Sequence, residues 1–228
     1  MRLRQPEAGY RYNSDSLMLY RFIADFSPGG KLLDVGCGCG IVGLLLARDF
    51  PVELEGIDIQ PEMVAYAKTN AEENGIAGTF HTGDLLDFGP LQSFDVIVSN
   101  PPFYPAQSQT SADPSLRVAR YDDNLPPEPF FKQVGRLLRP NGRFYFCYRS
   151  GAMQAVCDAL GKSKFRVTAM QPVYPTPDSD ASLILVEARK STNAPVRMLP
   201  PMVVRDAQGN ETKEAKAIYQ RSATVCIQ

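Results

Sequence analysis

The stretch KLLDVGCGCGIVGLLLARDF, residues 31–50, decides the architecture. Lys31–Val35 reads as a short buried strand, apolar around a single acid, Asp34. Glycines at 36, 38, 40 and 43 then let the backbone turn and approach a ligand closely. The apolar run that follows predicts a helix over 41–50, with free N–H groups at its start. Residues 38–43 satisfy G-x-G-x-x-G literally, so a dinucleotide site has to be weighed. Asp34 argues against it. A carboxylate beside the glycines repels a pyrophosphate but suits a cofactor carrying an ammonium and a sulfonium.

Outward from this turn, helices and strands alternate. Residues 14–26 read as an amphipathic helix with Ser14 as a possible cap. A strand is expected over 52–59, and a helix over 61–75 with proline at its start and glycine at its end. A third strand falls within GTFHTGDL and a fourth over 94–99. A helix over 127–142, closed by Pro-Asn-Gly, precedes a strand over 143–149 and a helix over 151–161. FRVTAMQPVYP and SLILVEARK read as two last strands with no helix between them, hence an antiparallel hairpin. Such alternation predicts an α/β fold, a mostly parallel sheet with helices on both faces. The expected layout is a single domain over 1–228. Residues 1–30 cover the ligand site, 31–190 form the Rossmann-like core and 191–228 are an extension. The segment 101–124 is too long for a simple connector and is a candidate binding loop.

Acids follow three successive strands. Asp34 precedes the glycines, Asp58 closes the second strand and could accept from ribose hydroxyls, and Asp84 could accept from an adenine amino group. Ile59 and Leu85, beside the last two acids, join the expected cofactor lining with Gly36, Gly38 and Gly40. Open α/β sheets bind ligands at this strand edge. For Asp58 and Asp84 the competing role is helix capping.

The fourth strand runs into Asn100-Pro101-Pro102-Phe103. Successive prolines end the strand and force a turn. That turn presents an amide, two proline carbonyls and an aromatic face, which suit a planar, amino-bearing substrate.

The 228 residues are 44% hydrophobic, enough for a sizeable core, and the net charge is −1. Residues 1–12 carry a net +2 and residues 189–228 a net +4, so basic ends flank an acidic middle. They could contact nucleic-acid phosphates or be ordinary solvated termini. Five cysteines without a paired CxxC framework, and a single histidine, argue against zinc; no metal is expected. The odd cysteine count points to reduced thiols and a cytoplasmic setting. The N-terminal residues have no signal-peptide pattern, and no apolar run reaches a membrane span. A monomer is expected.

DVGCGCG, GIDI and NPPF together resemble the motifs of Rossmann-like S-adenosylmethionine-dependent methyltransferases, over residues 31–188. QPEAGYRYNSDSLML, NPPFY, RVAR (117–120), the VYP turn, ILVEARK and the PPMVV-DAQGN tail resemble, in order, the bacterial tRNA(Val) adenine-N6-methyltransferase family. The resemblance implies S-adenosyl-L-methionine as cofactor, tRNA as partner, and methylation of the adenine 3′ of the anticodon. It implies seven strands in the order 3-2-1-4-5-7-6 with strand 7 antiparallel. It also implies that Asn100 and Pro101 grip the amine, that Pro102 shapes the turn and that Phe103 or Tyr104 stacks on the base. Asn100 would also border the cofactor. Tyr10 and Arg11 would pack across its methionine end, and Arg117 and Arg120 would hold phosphates. Rival readings are methylation of a protein glutamine amide, of ribosomal RNA or of DNA adenine, a non-catalytic nucleotide or S-adenosylmethionine binder, and an NAD-dependent oxidoreductase.

Overall fold

Leu32 and Leu33 are neighbours in sequence, yet they belong to different hydrophobic cores. Strand side chains alternate between faces, so one strand can serve two layers only if both faces are covered. A computed structural model describes residues 1–6, 12–101 and 127–227. The first core packs helices Ser14–Ala24 (α1), Ile41–Asp49 (α2) and Pro61–Glu73 (α3) on one sheet face. The second packs helices Pro127–Leu137 (α4) and Met153–Lys162 (α5) on the other.

The strands between them are Gly30–Val35 (β2), Val52–Asp58 (β3), Gly78–Thr82 (β4), Phe94–Ser99 (β5), Leu138–Arg149 (β6), Phe165–Tyr174 (β7) and Leu183–Lys190 (β8). Their spatial order is β4-β3-β2-β5-β6-β8-β7. Counted from β2, this is the 3-2-1-4-5-7-6 order expected from the sequence. Strand β8 runs antiparallel to both neighbours, as the hairpin reading requires. All seven expected strands are present, and two short edge strands extend the sheet to nine among the described residues. Arg197–Met198 (β9) and Met202–Val203 (β10) each add a two-residue parallel pairing to the outer edge of β7.

Two boundaries moved. The helix expected to reach residue 142 stops at Leu137 because Leu138 already pairs with Phe94. The next paired residue is Arg143, opposite Val96, so the Arg-Pro-Asn-Gly segment bulges past Asp95. Asn141 takes a positive φ of 63° there, and Arg139 donates to both Asp95 oxygens at 2.8 and 2.7 Å. The first helix is capped by Asn13 instead of Ser14: the Asn13 side chain accepts from Asp15 N.

A second, two-stranded parallel sheet joins Arg2–Arg4 (β1) to Val225–Ile227 (β11), beyond helix Lys213–Ser222 (α6). No described helix is long and apolar enough to cross a membrane.

Candidate functional site

The carboxyl ends of β2, β3, β4 and β5 meet at one edge of the sheet. At the β2 end, Gly36 N and Cys37 N both donate to Ile57 O, which folds the glycine turn over β3. Gly40, at φ 86°, occupies the cap position of α2, a conformation side chains rarely adopt. Gly43 allows a close approach. A Cβ there would lie 2.7 Å from Leu54 Cδ1 and 3.0 Å from Asp34 Oδ2. Without one, Gly43 N donates to Asp34 Oδ2 at 2.8 Å.

Asp34 is 3% exposed. Burial pushes its carboxyl up from 3.8 to about 7; the Gly43 N–H opposes the rise and the charge of Asp58 adds to it. Asp58 Oδ2 accepts from Gly38 N at 2.8 Å and Oδ1 from Gln60 N at 2.9 Å. Its pKa is also raised, chiefly by burial. Asp58 therefore ties the glycine turn to the start of α3. Asp84 caps a short 3₁₀ turn by accepting from Leu86 N at 2.9 Å, and its side chain is exposed. Beside these acids Leu85 is buried, whereas Ile59 is 52% exposed, an uncovered apolar surface next to Asp58. Cys37 and Cys39 fill space within the turn. Burial drives the first thiol well above its usual value and the second to about 12.

Asn100 stands next to this turn. Ser99 pairs with Val35 across β5 and β2, and Ser99 Oγ donates to Val35 O at 2.9 Å. The following residues, Asn100 and Gly36, are thereby brought side by side. Asn100 Nδ2 donates to Ser16 Oγ at 2.9 Å, and Cys147 Sγ donates to Asn100 Oδ1 at 3.1 Å. Burial holds Cys147 well above the usual thiol value, so it remains a neutral donor. Two elements distant in sequence, α1 and β6, thus fix which way the amide faces. Pro101 is buried beside it. Tyr10, Arg11, Pro102, Phe103, Tyr104, Arg117 and Arg120 lie outside the described residues.

Residues 26–198 match the family described as Methyltransferase domain. The chain belongs to that family. The methyltransferase domain is similar to a Porphyromonas gingivalis tRNA1(Val) (adenine(37)-N6)-methyltransferase, 32% identical over 150 residues, or 61% of this chain and 58% of that one. A Vibrio cholerae protein of the same name is 24% identical over 210 residues, 91% of this chain and 86% of that one. The chain thus spans less than two thirds of the Porphyromonas relative. Among solved structures, an Agrobacterium tumefaciens protein described as a predicted O-methyltransferase has a TM-score of 0.71 at 16% identity, covering 94% of this chain and 99% of that one. That likeness concerns the fold. The relatives and the sheet order together place the methyltransferase domain in the Rossmann-like class.

Sequence reasoning missed one residue that shapes the domain's glycine turn. Asn70 of α3 has no exposed surface; its Nδ2 donates to Cys39 O and Arg4 O, both at 2.9 Å, and its Oδ1 accepts from Arg4 N at 2.6 Å. One helical turn on, Asn74 does the same for Arg2, at 2.9 and 2.6 Å. The two side chains act as a surrogate strand for β1. An available signal was Asn70 inside an apolar-faced helix, where asparagine is otherwise unfavourable; Asn74 is the C-cap residue of the same helix. Ser16, a polar residue on the apolar face of α1, was a second such signal. Among the described residues no cluster of His, Cys, Asp or Glu could hold a metal ion.

Proposed function

We propose that this protein is an S-adenosylmethionine-dependent enzyme that methylates N6 of an adenine in RNA, the adenine 3′ of the anticodon of valine tRNA. One observation carries the reading: the β5–β2 pairing brings an oriented asparagine amide beside the glycine turn. The names of the curated relatives support the choice of RNA and of base.

The residues present fit such a cofactor. A Cβ built on Gly36 would meet nothing within 4 Å, so the space beside the turn is open. Asp34 supplies a buried carboxylate toward cationic groups. Asp58 and Asp84 offer acceptors for hydroxyls and an amine, and Ile59 offers an apolar surface to a flat ring. When bound, the cofactor supplies an electrophilic methyl group on a sulfonium.

The protein's own part is positioning and electrostatics. An amine conjugated to a purine is a weak nucleophile. Asn100 Oδ1 and the Pro101 carbonyl accept its two hydrogens, which draws electron density to nitrogen and favours the geometry of attack. Ser16 and Cys147 keep the Asn100 oxygen from rotating away, and the surplus proton leaves to water. The base has to leave its stack to reach this edge, and a single-stranded loop lowers that cost.

The test is transfer of labelled methyl from S-adenosylmethionine to unmodified valine tRNA. Product should be N6-methyladenosine at the adenine 3′ of the anticodon. Asn100→Ala should lower kcat by about 10²- to 10³-fold with little change in cofactor affinity. An Asn100→Ala enzyme with full rate would remove the amide from the mechanism.

A further inference from the structure

Strand pairing brings three arginines together at the sheet edge opposite the site. Arg143 of β6 pairs with Arg189 of β8, which pairs with Arg166 of β7. Directly paired residues share a sheet face and stand about 5 Å apart, where like charges repel. Two residues along β8, Glu187 lies between Tyr145 and Ala169, and Ala169 pairs with Arg197 of β9. Glu187 is the carboxylate within this group, and it is committed. It is 5% exposed, accepts from Thr168 Oγ1 at 2.6 Å and lies 3.7 Å from Arg143 Nε. Arg189 Nε is buried with no hydrogen-bond partner among the described residues. Arg166 and Arg197 are exposed.

Beside the row is a cavity of about 690 Å³ lined by Lys164, Arg166 and Lys190 together with Ser191 and Asn193. Lys190 Nζ itself donates to Gly135 O and Leu138 O, so its ammonium is already engaged. The row of arginines thus has one engaged carboxylate beside it, and at its Arg166 end it adjoins a cavity that Lys164 and Lys190 also line. A self-repelling row with an orphaned guanidinium N–H and an adjoining polar cavity calls for an anionic occupant with several oxygens. Guanidinium forks bind phosphate through two oxygens at once.

We propose that this face, resting on the RNA reading above, is a second phosphate-binding site that holds the RNA backbone at a distance from the methylated base. Along β6, Arg143 lies six residues before Arg149 at the site end, or about 20 Å. A phosphate on this row belongs to a different part of the RNA from the adenine in the active site. The face adds affinity and orientation without touching the chemistry.

The double variant Lys164→Gln/Arg166→Gln changes two exposed residues outside the candidate active site. It should bind S-adenosylmethionine as the wild type does, which verifies the fold. Its affinity for unmodified valine tRNA near 0.1 M salt should fall about tenfold, and the salt slope of log affinity should become shallower by roughly one to two. The matched control Lys213→Gln/Lys216→Gln, on α6, should leave the slope in place. An unchanged slope in the first variant, with wild-type enzyme still methylating tRNA, overturns the phosphate face alone. An equal loss in the control shows a general charge effect and overturns it too. Inorganic phosphate that raises the melting temperature of wild type but not of the variant, with the tRNA slope unmoved, assigns the face to a small anion and overturns the RNA occupant. Wild-type protein that binds no tRNA overturns both this inference and the proposed function.

Discussion

In the proposed cofactor site, Asp34 carries a conflict between folding and binding. Its carboxyl is raised from 3.8 to about 7, so between those values the native protein keeps a proton that the unfolded chain has released. Stability therefore falls as pH rises from about 4 to 7, and the full cost is present above 7. That shift corresponds to on the order of 4 kcal/mol. Asp34→Asn keeps an acceptor for Gly43 N and removes the buried charge. Its ligand-free melting temperature should exceed that of wild type at pH 8, by less at pH 5, and not at all near pH 3.5. On the proposed cofactor site, the same change should weaken S-adenosylmethionine binding at pH 8, because no carboxylate would then face the cofactor's cationic groups. Thermal melts and calorimetry at the three pH values decide it; a variant less stable than wild type at pH 8 would show that the charge is compensated in the native state. At this scale the sequence was informative about Asp34 and Asp58, because Asp34 stands just before the glycines near the end of β2 and Asp58 closes β3. It was silent about Cys147, whose partner Asn100 lies 47 residues away.

Helix α3 is the element whose role was least legible. Its boundaries were plain from the proline at its start and the glycine after its end. Asn70 within it and Asn74 at its C-cap bond to backbone 66 and 72 residues distant, and no local periodicity encodes that. The helix expected to run to residue 142 failed for a related reason: the long-range pairing of Leu138 with Phe94 overrides the local Pro-Asn-Gly stop signal. Removing the Asn70 side chain deletes three hydrogen bonds at a site with no exposed surface. Asn70→Ala should cost about 3 kcal/mol in urea unfolding. Asn74→Ala, whose bonds to Arg2 lie nearer the surface, should cost less than about 1 kcal/mol. Asn70→Ala should also weaken cofactor binding, because Cys39 O belongs to the glycine turn. Equal costs for the two variants would mean that burial of Asn70 does not matter.

Across the whole molecule, the segments at the two ends of the chain meet on the α3 side of the glycine turn. Strand β1 is held on one flank by Asn70 and Asn74 and on the other by parallel pairing with β11. Cys226 of β11 faces the same neighbourhood, where its sulfur is 3.3 Å from Gln5 Nε2 and 3.4 Å from the Tyr12 hydroxyl. Helix α6 is fastened separately: Arg48 donates to Ser222 O at 2.7 Å and to Arg221 O at 3.0 Å, and Arg221 reaches Tyr20. The fastening of α6 should therefore survive loss of β11, so the two contributions can be separated. Deleting residues 224–228 removes one flank of β1 and leaves α6 on the core. The expected cost is about 2–3 kcal/mol, seen as a melting temperature lower by about 5–10 °C for a chain of this size. Loosened β1 also weakens the hold of Asn70 on Cys39 O, so cofactor affinity should fall several-fold. Combining the deletion with Asn70→Ala should cost less than the sum of the two, because both act on the same strand. Strict additivity would instead mean that β11 and α3 stabilise β1 independently and that the chain ends carry no coupling to the glycine turn.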